Sequence, residues 1–256
     1  MSELQQAIER EKQAFIPYIM AGDGGLETLR PTILKLQQLG VAAIEVGIPF
    51  TDPVADGPTI EAAGMRALKC GTNLTNVLQT LSAFADKLTI PLVVMTYLNP
   101  ILAYGAERFA KDARVAGVRG VIVPDMPLEE SDIIHAALKA EQIDLVQLVS
   151  LTSPKARIEK LASASEGFIY AVTVNGITGA RASFADNLAD HFTQLKAVSS
   201  VPVLAGFGIS TPEHITQFAG FSDGVIVGSK VVDCLTKDDW TTIEQLIQTT
   251  KTLEVK

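Results

Sequence analysis

Two carboxylates stand in unlike settings within Ile44-Glu45-Val46-Gly47-Ile48-Pro49-Phe50-Thr51-Asp52-Pro53-Val54-Ala55-Asp56-Gly57-Pro58-Thr59. Glu45 interrupts an apolar, strand-like run, where a charge is costly to desolvate. A loop rich in proline and aspartate follows, and Asp56 stands just before what reads as a helix start. If the strand ends near Pro49, Glu45 lies toward its C-terminal end and Asp56 closes the loop above it. Two carboxylates facing one cavity, one from a strand and one from a loop, are equipment for proton transfer. The structural alternative is a buried glutamate satisfied by backbone amides and an aspartate that caps a helix.

A second pattern sets glycine beside serine, in Gly206-Phe207-Gly208-Ile209-Ser210 and in Gly228-Ser229. Each follows a short apolar run and precedes a helix start. Glycine lets the backbone come close to an anion, and free N–H groups at a helix N-terminus donate to it. Ser210 and Ser229 can cap their helices or bond a phosphate oxygen; Lys230 can add charge or stand solvated. Turn glycines with capping serines are the alternative. A third stretch, Gly176-Ile177-Thr178-Gly179 followed by Ala180, Ala182 and Ser183, has about a dozen residues with little to bury and reads as a mobile lid, or else as a long surface loop.

The elements that must position these groups recur along the chain. Apolar runs cover residues 15–21, 43–47, 91–96, 120–123, 145–149, 168–172, 202–205 and 224–227. Several are apolar at consecutive positions, as parallel strands buried on both faces require. Amphipathic segments lie between them, at 26–39, 74–88, 106–116, 129–141, 155–163, 188–198 and 213–218, and a last one at 238–251 follows the eighth run. Eight strands, each followed by a helix, over ~250 residues predict a (β/α)8 TIM barrel, preferred to a doubly wound open sheet of five or six strands. Leu4 and Ile8 share one face of a polar N-terminal segment, which predicts an extra helix ahead of the barrel and no signal peptide. Residues 1–256 read as one barrel domain. In such a barrel the chemistry sits at the C-terminal ends of the strands. Glu45, Asp56 and the glycine loops all fall there, and glycines after strands 7 and 8 are the recurring phosphate site of the fold.

Composition narrows the chemistry. Lys and Arg total 21 against 29 Asp and Glu, a formal charge of −8, which argues against nucleic acid or an anionic membrane as partner. Hydrophobic residues make up 47%, yet no apolar run approaches the ~18 needed to span a bilayer. Cys70 and Cys234 form no close pair and suit a reducing cytoplasm. His135, His191 and His214 fall in predicted helices, so neither a His-ligated metal nor a His base is expected. No lysine falls in a predicted strand, which disfavours an imine-forming aldolase. What remains is proton transfer on a phosphorylated substrate with no metal or organic cofactor in this chain.

The unit from Glu45 to Thr59 closely resembles the signature of the tryptophan synthase alpha subunit family. Phe15-Ile16-Pro17-Tyr18-Ile19-Met20-Ala21-Gly22-Asp23, the segment from Asp125 to Ser131, Gly176 to Gly179, Gly206 to Ser210 and Gly228-Ser229 also match, in order. The resemblance covers essentially the full chain. It implies a lyase that splits indole-3-glycerol phosphate into indole and glyceraldehyde 3-phosphate, a retro-aldol step in tryptophan biosynthesis. Glu45 would protonate the indole ring at C3 and manage the glycerol hydroxyl proton, and Asp56 would hold the indole N–H. Tyr170 would line the site; Gly179, Phe207, Gly208, Gly228 and Ser229 would bind phosphate; Thr178 would close onto Asp56. The family further implies a cytoplasmic α2β2 heterotetramer. Its beta subunit carries pyridoxal phosphate, receives indole through a channel, and would face Asp52 and Pro53.

Two positions depart from the family pattern. Met20 stands where many members have threonine, and Asn175 where serine or threonine is commoner; they would touch the pocket wall and lid closure. Two other functions compete with the alpha-subunit reading. A free-standing lyase would release indole at full rate without a partner, and an inactive scaffolding barrel would release none.

Overall fold

The apolar runs fold as nine parallel strands of one sheet, in a computed structural model that describes residues 1–150, 152–172, 181–206 and 208–253, without the side chains of 181–187. The strands are β1 (Ala14–Met20), β2 (Ile44–Gly47), β3 (Leu92–Met95), β4 (Val118–Ile122), β5 (Asp144–Leu145), β6 (Gln147–Ser150), β7 (Ile169–Val172), β8 (Val203–Gly206) and β9 (Gly224–Val227). Their hydrogen-bonded order is β5-β4-β3-β2-β1-β9-β8-β7-β6. The end strands of that order are consecutive in sequence, so the sheet curls into a nearly closed barrel. The fifth run, expected as one strand over 145–149, is therefore two. Val146 donates its N–H to the Val121 carbonyl at 3.0 Å, on the β4 side, whereas β6 pairs with β7. A closed barrel needs its strands staggered, and this seam takes up the stagger.

Strict alternation sorts the side chains into two buried layers. Phe15, Ile19, Ile44, Val46, Val94, Val121, Ala171 and Val225 face outward onto the helices. Ala14, Ile16, Val93, Ile122, Val146, Phe168, Tyr170, Leu204 and Ile226 face inward. Both layers exclude water, so the runs are apolar at successive positions. The predicted N-terminal helix is present as α1 (Glu3–Glu9), with Ser2 Oγ accepting from the Gln5 N–H at 3.2 Å. Its Leu4 and Ile8 join the inward layer beside Ala14 and Phe168, near the N-terminal ends of the strands. The helix plugs the barrel opposite the expected site.

The remaining helices are α2 (Leu29–Gln38), α3 (Pro58–Lys69), α4 (Leu74–Ser82), α5 (Leu98–Tyr104), α6 (Ala106–Val115), α7 (Asp132–Ala140), α8 (Lys155–Ala164), α9 (Arg181–Val198), α10 (Pro212–Ala219), α11 (Ser229–Thr236) and α12 (Trp240–Thr252). Three of them, α3, α5 and α11, begin within the connections that leave β2, β3 and β9. The first and the last start where helix starts are expected, after Asp56 and at Gly228-Ser229; α5 extends the predicted set. Helix α9 begins at Arg181, so the stretch 181–183 expected in the lid belongs to a helix instead. The rest of that stretch, including Asn175, Thr178 and Gly179, lies outside the described residues, as does Phe207.

Candidate active site

Glu45 is the second residue of β2 and points into the barrel, because Ile44 and Val46 on either side face the helices. It is 1% exposed. Neither carboxylate oxygen has a hydrogen-bond partner among the described residues, which removes the alternative of a glutamate satisfied by backbone amides. Burial, reinforced by the facing Asp56 carboxylate, pushes its pKa up to about 8. At neutral pH Glu45 therefore carries a proton that it can give away.

Asp56 is held differently. The first residue of α3 is Pro58, its N-cap is Gly57, and no side chain caps the helix, so Asp56 is not a capping residue. Its partner is Tyr97, buried at the N-cap of α5 just after β3. The Tyr97 hydroxyl accepts the Ala55 N–H at 3.0 Å and is hydrogen-bonded to the Asp56 carboxylate. The Tyr97 ring stacks on Phe50, with centroids 5.1 Å apart. Burial raises the pKa of Asp56, and the Tyr97 hydrogen bond offsets part of that rise by stabilising the charged form. The two carboxylates thus face one space, one fully desolvated and the other hydrogen-bonded and half-buried. In the sequence Tyr97 is only a polar residue after an apolar run; its link to Asp56 depends on packing.

Tyr170 lies on the inward face of β7, buried near Glu45 closely enough for that carboxylate to disfavour its ionisation. Gly206, across on β8, makes room for it: a Cβ there would lie 2.0 Å from the Tyr170 ring. Tyr18, on β1 opposite Glu45 in register, completes the inner wall. Its role beside Glu45 was missed in the sequence, and strand alternation was the available signal.

The two glycine loops open at the same end of the barrel. Gly208 has φ +77°, a left-handed conformation that favours glycine. Thr211, not Ser210, caps α10 by accepting the His214 N–H at 3.3 Å. His214 accordingly sits in the first turn, where its Nδ1 accepts the Ser210 N–H at 3.3 Å, closer to a strand end than expected. Gly228 is the N-cap of α11 without any side-chain cap bond, and Ser229 is the first residue of that helix. Neither serine is used as an N-cap, and the first turn of α11 presents free N–H groups suited to an anion. Among the described residues no group of three His, Cys, Asp or Glu could hold a metal ion.

A cavity of about 650 Å³ lies elsewhere, on the outer side of β1, lined by Ile19, Asp23, Lys35, Arg66 and Trp240. Arg66 pairs there with Asp23 through two contacts of 2.7 Å, and Lys35 Nζ sits 3.9 Å from the Trp240 ring centroid. Among the described residues none of the buried, unpartnered polar atoms lines that cavity, whereas Glu45 in the barrel mouth has two, so the barrel mouth is the better site.

The comparisons with known proteins concern the family and the fold. The family model for the tryptophan synthase alpha chain matches residues 4–256. A tryptophan synthase alpha chain of Bacillus cereus is 49% identical over 254 residues, spanning 99% of this chain and 98% of that one. The solved tryptophan synthase subunit alpha of Legionella pneumophila superposes with a TM-score of 0.89 at 30% identity, over 99% of this chain and 100% of that one. A Mycobacterium tuberculosis tryptophan synthase structure gives 0.89 at 33% identity, over 98% of this chain and 99% of that one. The chain belongs to the tryptophan synthase alpha chain family.

Proposed function

We infer that Glu45, as both acid and base, and Asp56, as the carboxylate that stabilises developing charge, perform the alpha half-reaction of tryptophan synthase in this chain. That half-reaction is the cleavage of indole-3-glycerol phosphate to indole and glyceraldehyde 3-phosphate. The observation that carries the assignment is the unpartnered, desolvated Glu45 facing a hydrogen-bonded Asp56. Glu45 gives its proton to C3 of the indole ring, and positive charge develops at the ring nitrogen. Asp56 accepts the N–H hydrogen bond and stabilises that charge. The Glu45 carboxylate then takes the proton from the hydroxyl on the carbon attached to C3. As that C–C bond breaks, its electrons return to the ring, the aldehyde leaves, and Glu45 is protonated again. No cofactor enters the balance.

Gly208, Gly228 and Ser229 are proposed to hold the substrate phosphate, with Gly179 and Phe207, and Tyr170 to line the indole pocket. Thr178 is proposed to close onto Asp56. Family membership implies a beta subunit partner. The proposed assembly is an α2β2 heterotetramer in the cytoplasm, with pyridoxal phosphate in the beta subunit and none in this chain. The loop of Asp52 and Pro53 is proposed to face that partner. Among the described residues no helix is long and apolar enough to cross a membrane. One sheet carrying all nine strands supports reading residues 1–256 as a single barrel domain. The deciding experiment is indole release from indole-3-glycerol phosphate by wild type, Glu45→Gln and Asp56→Asn, with and without a beta subunit. Activity in either variant near that of wild type would remove that residue from the mechanism.

A further inference from the structure

We propose that Tyr18 is a positioning residue, whose hydroxyl donates to the Glu45 carboxylate once that group has released its proton. The proposal rests on Glu45 being the proton donor. Tyr18 and Glu45 are paired in register on neighbouring strands and both point into the barrel. A Cβ on Gly47 would lie 1.9 Å from the Tyr18 hydroxyl oxygen, so the hydroxyl rests on β2 where only glycine leaves room. Gly47 is two residues past Glu45 on the same face, ~6.6 Å along the strand, which puts the hydroxyl within reach of the Glu45 side chain.

The ring of Tyr18 is fixed from behind. It packs with Met20, Ile60, Ala63, Ala67 and Val232, and its Cβ lies 3.7 Å from where a Gly228 side chain would begin. Phenylalanine would satisfy all of that packing, so the hydroxyl is the part that packing does not explain. A buried tyrosine O–H ordinarily finds an acceptor. The titratable groups facing it are Glu45 from β2, Asp56 from the loop before α3, Tyr97 from the start of α5 and Tyr170 from β7. Tyr97 already serves Ala55 and Asp56. Glu45, 1% exposed and with both oxygens unpartnered, is the group that needs a donor when it becomes an anion. Burial and the surrounding acids keep Tyr18 protonated, and hence a donor.

The test is Tyr18→Phe, with kcat and KM for indole-3-glycerol phosphate measured from pH 5 to 10. Loss of a hydrogen bond to a charged group should lower kcat ~10-fold or more and leave KM within ~3-fold. The ionised form of Glu45 loses support, so its pKa rises and the alkaline limb of the rate profile moves to higher pH. Site-specific 3-fluorotyrosine at position 18, a stronger donor of nearly unchanged shape, should move that limb to lower pH. It serves also if Tyr18→Phe fails to fold. Unchanged kcat and limb in Tyr18→Phe, a change in KM alone, or no shift with 3-fluorotyrosine would each overturn the proposal. Those results, with wild type active and Glu45→Gln inactive, leave the assignment of Glu45 intact. Wild type that releases no indole overturns both.

Discussion

Replacing Glu45 by glutamine separates its chemistry from its cost to the fold. Folding carries this carboxyl from a pKa of 4.5 to about 8. Between those values the native state holds a proton that the unfolded chain has released. Stability therefore falls as pH rises through this window and levels off above pH 8. At ~1.4 kcal/mol per pKa unit the full cost is about 5 kcal/mol, an upper figure, because a site that admits water at high pH relaxes part of it. Glutamine keeps the shape and cannot ionise. The difference in unfolding free energy between Glu45→Gln and wild type, measured by urea denaturation at pH 5, 7 and 9, should grow with pH by several kcal/mol. Other raised carboxyls, such as Asp144 at about 6, titrate in both proteins and cancel in the difference. The same variant should turn over indole-3-glycerol phosphate at least ~100-fold more slowly. Parallel stability curves would refute the desolvated Glu45, and unchanged turnover would refute its use as an acid.

Asp56→Asn should lose ~100-fold or more in turnover, because an amide brings no charge to the developing positive nitrogen; steady-state indole release checks it. Tyr97→Phe removes the hydrogen bond that lowers the Asp56 pKa, so the acid limb of the rate profile should move to higher pH, and an unmoved limb would count against that link. Gly228→Ala has room within the fold, with the nearest side-chain atom 3.7 Å from the new methyl, so weaker binding of glyceraldehyde 3-phosphate without weaker binding of indole would mark a phosphate site. Equal losses by calorimetry would mean general damage. Leu4→Ala should destabilise the protein by about 2–5 kcal/mol, since the side chain is fully buried in the inward layer, while kcat stays near wild type.

The barrel and both carboxylates were legible in the sequence because each rests on a local rule. Consecutive apolar positions in Leu92 to Met95 or Gly224 to Val227, too short for a buried helix, fit strands covered on both faces, and eight apolar runs alternating with helices leave little choice of topology. A carboxylate set inside one of them at Glu45 is conspicuous because burying it is expensive. Tertiary structure decided what local rules do not reach. Residue 146 reads as mid-strand, and only the closing of the sheet divides the run there between two neighbours. Asp56 beside Gly57 and Pro58 reads as a cap, yet its partner is a hydroxyl brought from β3 by the order of the strands. Tyr18 reads as one more apolar-run residue; its place against Gly47 and Glu45 follows from register between strands far apart in sequence. Distances across a barrel depend on the whole sheet closing, and no window of the chain encodes them.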